Sequence, residues 1–81
     1  MHYTYQPAGV CARKIDFDLE DGVVKNVRFL GGCNGNLKAI GTLIDGMTPD
    51  EIIDKLAGNT CGNRATSCAD QLTLALKEAM Q

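Results

Sequence analysis

The chain has 81 residues, 44% of them hydrophobic, which means one small domain with a modest core and no room for an enzyme barrel or a two-domain cleft. Eight basic and ten acidic residues leave a formal net charge of −2, a balance that speaks against a nucleic-acid surface, where positive charge clusters. No apolar run approaches the roughly 18 residues of a membrane span, and the N-terminal segment lacks the basic and apolar regions of a signal peptide, so the expected setting is the cytoplasm.

Tyr3 and Tyr5 alternate ahead of Pro7 and Gly9, a pattern for a short N-terminal edge strand that leads into a turn. Residues 12–19 alternate Ile15, Phe17 and Leu19 with Lys14, Asp16 and Asp18, as a half-buried strand does. After Glu20-Asp21-Gly22, residues 23–30 read as a second strand with Val23, Val27 and Phe29 at the same parity. Opposed residues in a hairpin point to one side of the sheet. A three-residue loop therefore keeps both apolar sets together, facing Leu19 with Val23, Ile15 with Val27, Cys11 with Gly31 and Gly9 with Cys33.

The glycine-rich corner Gly31-Gly32-Cys33-Asn34-Gly35-Asn36 precedes Leu37, Ile40, Leu43 and Ile44, spaced as one helix face with Asn34 or Asn36 as cap and Gly46 as stop. Thr48-Pro49-Asp50-Glu51 predicts a second helix: Thr48 caps it, Pro49 takes its first position, and Glu51 completes a capping box. Ile52, Ile53 and Leu56 form its apolar face, and Gly58 ends it. The last helix starts near Ser67 or Cys68 and runs to about Met80, with Leu72, Leu76 and Met80 four residues apart. The fold expected is a single α+β domain over residues 1–81. It has a small antiparallel sheet (the hairpin 12–19/23–30 plus the N-terminal edge strand) with two to three helices packed on one face.

Cys11, Cys33, Cys61 and Cys68 are the outstanding residues. In a reducing cytosol four cysteines point to metal or redox chemistry rather than disulfides. Cys33 lies just before one helix and Cys68 in the first turn of another, where free N–H groups and the helix dipole favour the thiolate that binds zinc or iron. Cys61, seven residues before Cys68, sits on a loop able to fold back to the same helix end. The four sulfurs are therefore expected to converge at one end of the molecule, matching a closed Cys₄ metal shell. Small buried hydrophobes are the alternative reading of individual cysteines. His2 is expected to be solvated at a mobile terminus. Asp16, Asp18, Glu20 and Asp21 are expected on the solvated side of the hairpin, and Arg64 is an exposed residue near the thiols.

Thr66-Ser67-Cys68-Ala69-Asp70-Gln71-Leu72 resembles the signature of the TSCPD-domain family, whose small stand-alone members are also similar at Gly31-Gly32-Cys33-Asn34-Gly35-Asn36-Leu37 and Cys61-Gly62. Ala69 stands where that signature has proline. The resemblance runs from about Cys11 to the C-terminus. It implies an association with ribonucleotide reductases, to which such domains are appended, and hence a ribonucleotide reductase or another protein as partner. Radical nucleotide reduction itself needs a large barrel and a radical generator that 81 residues cannot house.

The order of hairpin, Gly-Cys corner, helix, Gly46-Met47-Thr48-Pro49-Asp50-Glu51 helix start and cysteine-led final helix is more distantly similar to the NifU/IscU iron–sulfur scaffolds. That similarity implies a SufE/NifU-like fold with Cys11, Cys33 and Cys68 in the positions of the scaffold's three cysteines, Cys61 being additional. Arg13 stands where the scaffold has an acidic residue. The function expected is a Cys-ligated zinc or iron–sulfur domain, non-catalytic by itself and accessory to ribonucleotide reduction. A thiol–disulfide shuttle to a reductase and an interaction module with structural cysteines are the alternatives; neither nucleic acid nor membrane is expected as a partner.

Overall fold

The computed structural model describes residues 1–10, 12–31, 34–60, 62 and 64–80. Three antiparallel strands, β1 (His2–Tyr5), β2 (Ala12–Glu20) and β3 (Val23–Gly31), form one sheet in the order β1-β2-β3. Three helices follow: α1 (Asn34–Ile44), α2 (Pro49–Leu56) and α3 (Cys68–Ala79). The expected α+β class, edge strand and helix order are therefore present.

The register departs from the expected one. Asp21 and Gly22 both have positive φ, 53° and 79°, as the two-residue type I′ turn favoured by Asp-Gly requires. Glu20 consequently pairs with Val23 and Leu19 with Val24, so Val24 rather than Val23 enters the core, fully buried. Left uncorrected, this register would bury Asn26 and Arg28. An irregularity opposite Phe17 prevents it: Asp18 pairs with Lys25 and Asp16 with Arg28, leaving one extra residue on β3.

Asn26, at φ 56°, takes up that bulge in the left-handed conformation that Asn tolerates better than most residues. Its backbone N–H donates to Asp45 Oδ1 at 3.0 Å and its side-chain amide to Asp18 Oδ2 at 2.9 Å. Beyond the bulge Ile15 faces Phe29, and Val27 and Phe29 pack against the core. A second irregularity leaves Arg13 as the extra residue on β2, so that Gly31 pairs with Ala12 rather than with Cys11. The expected pair of Gly9 with Cys33 involves a cysteine outside the described residues.

Tyr3 pairs with Phe17 and Tyr5 with Ile15, and the Tyr3 and Phe17 rings stack at 5.5 Å. On the opposite face His2 is paired within β1, with Nδ1 2.7 Å from Asp18 Oδ1, and Thr4 donates to Asp16 at 2.8 Å. His2 is thus held by the strand ladder rather than loose at the terminus.

The core joins Ile15, Phe17 and Val24 of the sheet to Ile44, Ile52, Leu72, Ala75 and Leu76 of the helices. In α1 the buried face is Leu37 and Ile44, with Ile40 half-buried. Leu43, expected on that face, is 77% exposed. Gly41 lets α1 approach the sheet closely, since a Cβ there would stand 3.0 Å from the Val27 carbonyl oxygen. α2 starts as its sequence requires: Thr48 Oγ1 accepts from the Glu51 N–H at 3.2 Å, while Glu51 Oε1 accepts from the Thr48 N–H at 3.1 Å.

Asn26→Ala is expected to destabilise the domain by about 1–2 kcal/mol through left-handed strain and the lost side-chain bond, with Asn26→Gly recovering the backbone part in chemical denaturation. The hydrogen bonds from Asn26 and then His2 hold the Asp18 carboxyl below its ordinary value of 3.8. A depressed carboxylate contributes stability that is full above its unfolded-state value and lost as pH falls through its folded-state value. The stability gap between wild type and Asn26→Gly should therefore be widest at neutral pH and shrink below about pH 4, in melts recorded against pH.

Candidate functional site

Ser67 caps α3 in extended backbone conformation, and its hydroxyl oxygen accepts from the Asp70 N–H at 3.1 Å. The same hydroxyl donates to the Asn59 carbonyl at 2.6 Å, and the Asn59 amide donates back to it at 3.3 Å. Asp70 does not return a bond to the cap residue as in a capping box. One carboxylate oxygen accepts from the Gly58 N–H at 2.7 Å and the other from the Thr66 hydroxyl. These two bonds, the Thr66 one first, hold the Asp70 carboxyl below its ordinary value against the opposing pull of desolvation.

Gln71, only 6% exposed, extends the network in the other direction. Its amide nitrogen donates to Thr66 Oγ1 at 3.0 Å and its carbonyl oxygen accepts from the Ala8 N–H at 3.1 Å. Two remote segments are thus tied to the first turn of α3. One is residues 58–59, just before Cys61; the other is Ala8, three residues before Cys11.

Beside this network lies a cavity of about 200 Å³. Cys68 and Ala69 of α3 line it on one side and Asn36, Leu37 and Ile40 of α1 on another. Val10 and Thr60, the chain neighbours of Cys11 and Cys61, also contribute, and so does Arg64. Leu37 comes four residues after Cys33 in the sequence. Cys68 carries a free, half-buried thiol. Cys11, Cys33 and Cys61 lie outside the described residues. Among the described residues there is no group of three or more His, Cys, Asp or Glu side chains able to hold a metal ion, and no helix is long and apolar enough to cross a membrane.

The residues Thr66, Ser67, Cys68, Asp70 and Gln71 form one local structure, and the family model of the TSCPD domain matches the chain over residues 3–80. The chain belongs to the TSCPD domain family. No curated protein and no solved structure matches it, so the likeness to NifU/IscU scaffolds finds no counterpart in these comparisons. In this TSCPD domain Ala69 is buried at 4% exposure in the first turn of α3; the helix starts at Cys68, with Ser67 supplying the cap.

Sequence reasoning missed the roles of Asp70 and Gln71. The Ser-x-x-Asp spacing signals a cap, but nothing in the spacing says that the carboxylate turns to Gly58 or that Gln71 reaches Ala8. Ser67→Ala removes both the cap and the tie to Asn59. It should lower stability by about 1–2 kcal/mol in denaturant titration and speed amide exchange at Gly58 and Asn59 more than in α2.

Proposed function

We propose that this TSCPD domain is a small metal-binding module in which Cys11, Cys33, Cys61 and Cys68 ligate zinc or an iron–sulfur cluster. One observation carries the reading: Cys68 lines a cavity together with Val10 and Thr60, the sequence neighbours of two other cysteines, and with the first turn of the helix that follows Cys33. Soft thiolate donors suit zinc and iron.

The surroundings suit the charge such a centre brings. The first turns of α1 and α3 both contribute to the cavity wall, and helix N-termini favour negative charge. Arg64 adds a full positive charge on the same wall. When bound, the metal would cross-link the N-terminal segment, the β3–α1 corner and the α2–α3 loop. The family association supports an accessory role beside a ribonucleotide reductase.

Elemental analysis of protein purified without chelator should find about one metal centre per chain, with a visible spectrum separating a coloured cluster from colourless zinc. Cys33→Ser and Cys68→Ser should each lose the metal and lower the melting temperature, as should chelation of the wild type, because binding energy in such sites is folding energy. Metal-free protein with all 4 thiols freely titratable would reject the reading. Metal-free protein that forms a disulfide reducible by thioredoxin would instead be a thiol shuttle.

A further inference from the structure

We propose that the outer edge of β1 pairs with β1 of a second copy of this chain, joining two three-stranded sheets across a two-fold axis at Tyr3. The two edges of the sheet differ. β3 is covered along its outer side: Val24 donates to the Met47 carbonyl at 2.8 Å and accepts from the Gly46 N–H at 2.7 Å, and the Asn26 N–H donates to Asp45. β1 has no such cover. Met1 and Leu19 exchange both of their backbone bonds, each 2.8 Å long. By antiparallel alternation Tyr3 then bonds to Phe17, while His2 and Thr4 turn their N–H and C=O groups away from the sheet. Among the described residues no other group bonds to them. An open row of this kind is a template for another strand.

The edge fits its own copy. With Tyr3 on the axis, His2 of each chain faces Thr4 of the other, and both pairs exchange their outward N–H and C=O groups. On the solvent side the row across the junction runs Arg28, Asp16 and Thr4, then His2, Asp18 and Lys25 of the second copy. Neighbouring charges in that row have opposite signs, and no like charges stand directly opposed at the junction. On the other face Met1, 78% exposed, comes opposite Tyr5 of the second copy, and the two Tyr3 side chains meet. A hollow of about 270 Å³ beside this edge, lined by Tyr3, Tyr5, Phe17, Ala75 and Ala79, gives those rings space. It lies at the C-terminal half of α3, whereas the cavity beside Cys68 lies at the helix start. The pairing is therefore independent of what that cavity binds.

Sedimentation equilibrium of the full chain should show a reversible dimer, twice the chain mass of 8.7 kDa. It should form as the protein concentration rises toward about 1 mM, because so short a strand pairing makes a small, weak interface. Amide exchange at His2 and Thr4 should slow over the same range, and far more than at Tyr3 and Tyr5, which are paired within the chain. Thr4→Pro removes an outward N–H at an edge position where a strand tolerates proline. It should weaken dimerisation about tenfold or more with the circular dichroism of the wild type. His2→Pro deletes the equivalent donor and carries the test if Thr4→Pro does not fold. A chain that stays monomeric throughout would overturn the inference and leave the edge to a strand from another protein. A dimer that the proline variants leave intact would overturn it too, as would one in which protection at His2 and Thr4 does not follow concentration.

Discussion

Everything at one end of this molecule depends on the hydrogen bonds around the first turn of α3. Ser67, Asp70 and Gln71 connect that turn to Asn59, Gly58 and Ala8, the last of them 63 residues away in sequence. Buried polar groups are expensive when unpaired, and no buried side-chain nitrogen or oxygen among the described residues lacks a partner. The network therefore admits one arrangement of its loops. The motif around Cys68 is in this sense two devices: a cysteine, and a set of neighbours that bring other segments to it.

The legible parts of the fold were those governed by local chemistry. The Thr48-Pro49-Asp50-Glu51 start of α2 contains its own instructions, because cap, proline and returning carboxylate lie within four residues, and the structure reproduces each of them. The alternation of Ile15, Phe17 and Leu19 identified the inward face of β2 for the same reason. The register was not legible. Parity alone favoured a three-residue loop, whereas the Asp-Gly turn formed with two residues and the mismatch was absorbed four positions later by Asn26. A bulge changes parity without changing composition, so alternation cannot reveal it. Leu43 shows the matching limit for helices: its spacing fits the apolar stripe, but with β3 close against Gly41 the stripe narrows to Leu37, Ile40 and Ile44.

Of the candidate site, the place of Cys68 at a helix start was legible, and the bonds that draw other segments toward it were not. The helix start at Cys68 follows from its neighbours, and α3 does begin there; α1 begins at Asn34, so neither Asn34 nor Asn36 is its cap, and Cys33 lies outside the described residues. The meeting of Cys11 with Cys33 was derived from a hairpin register that does not occur, since Gly31 pairs with Ala12. What gathers the segments instead is side-chain hydrogen bonding over long sequence separations, from residues that read as ordinary helix formers and polar surface. Gln71 has no local signature at all; only the path of the chain near Ala8 gives it a role.

The division of labour along the helices explains why such a small chain needs this network. In α1 the early turns, Asn36, Leu37 and Ile40, line the cavity, while Ile44 belongs to the core. In α3 Cys68 and Ala69 line the cavity, and Leu72, Ala75 and Leu76 belong to the core. One end of the molecule is thus held by hydrophobic burial and the other by polar bonds beside a partly apolar hollow. A core of this size supplies only about 3–5 kcal/mol, which leaves little to order three loops whose backbone entropy costs about 1–2 kcal/mol per residue. Hydrogen bonds at roughly 1 kcal/mol each offset only part of that. The segments that the α3 latch draws in are those that run on into the cavity wall: Ala8 leads to Val10, and Gly58 and Asn59 lead to Thr60.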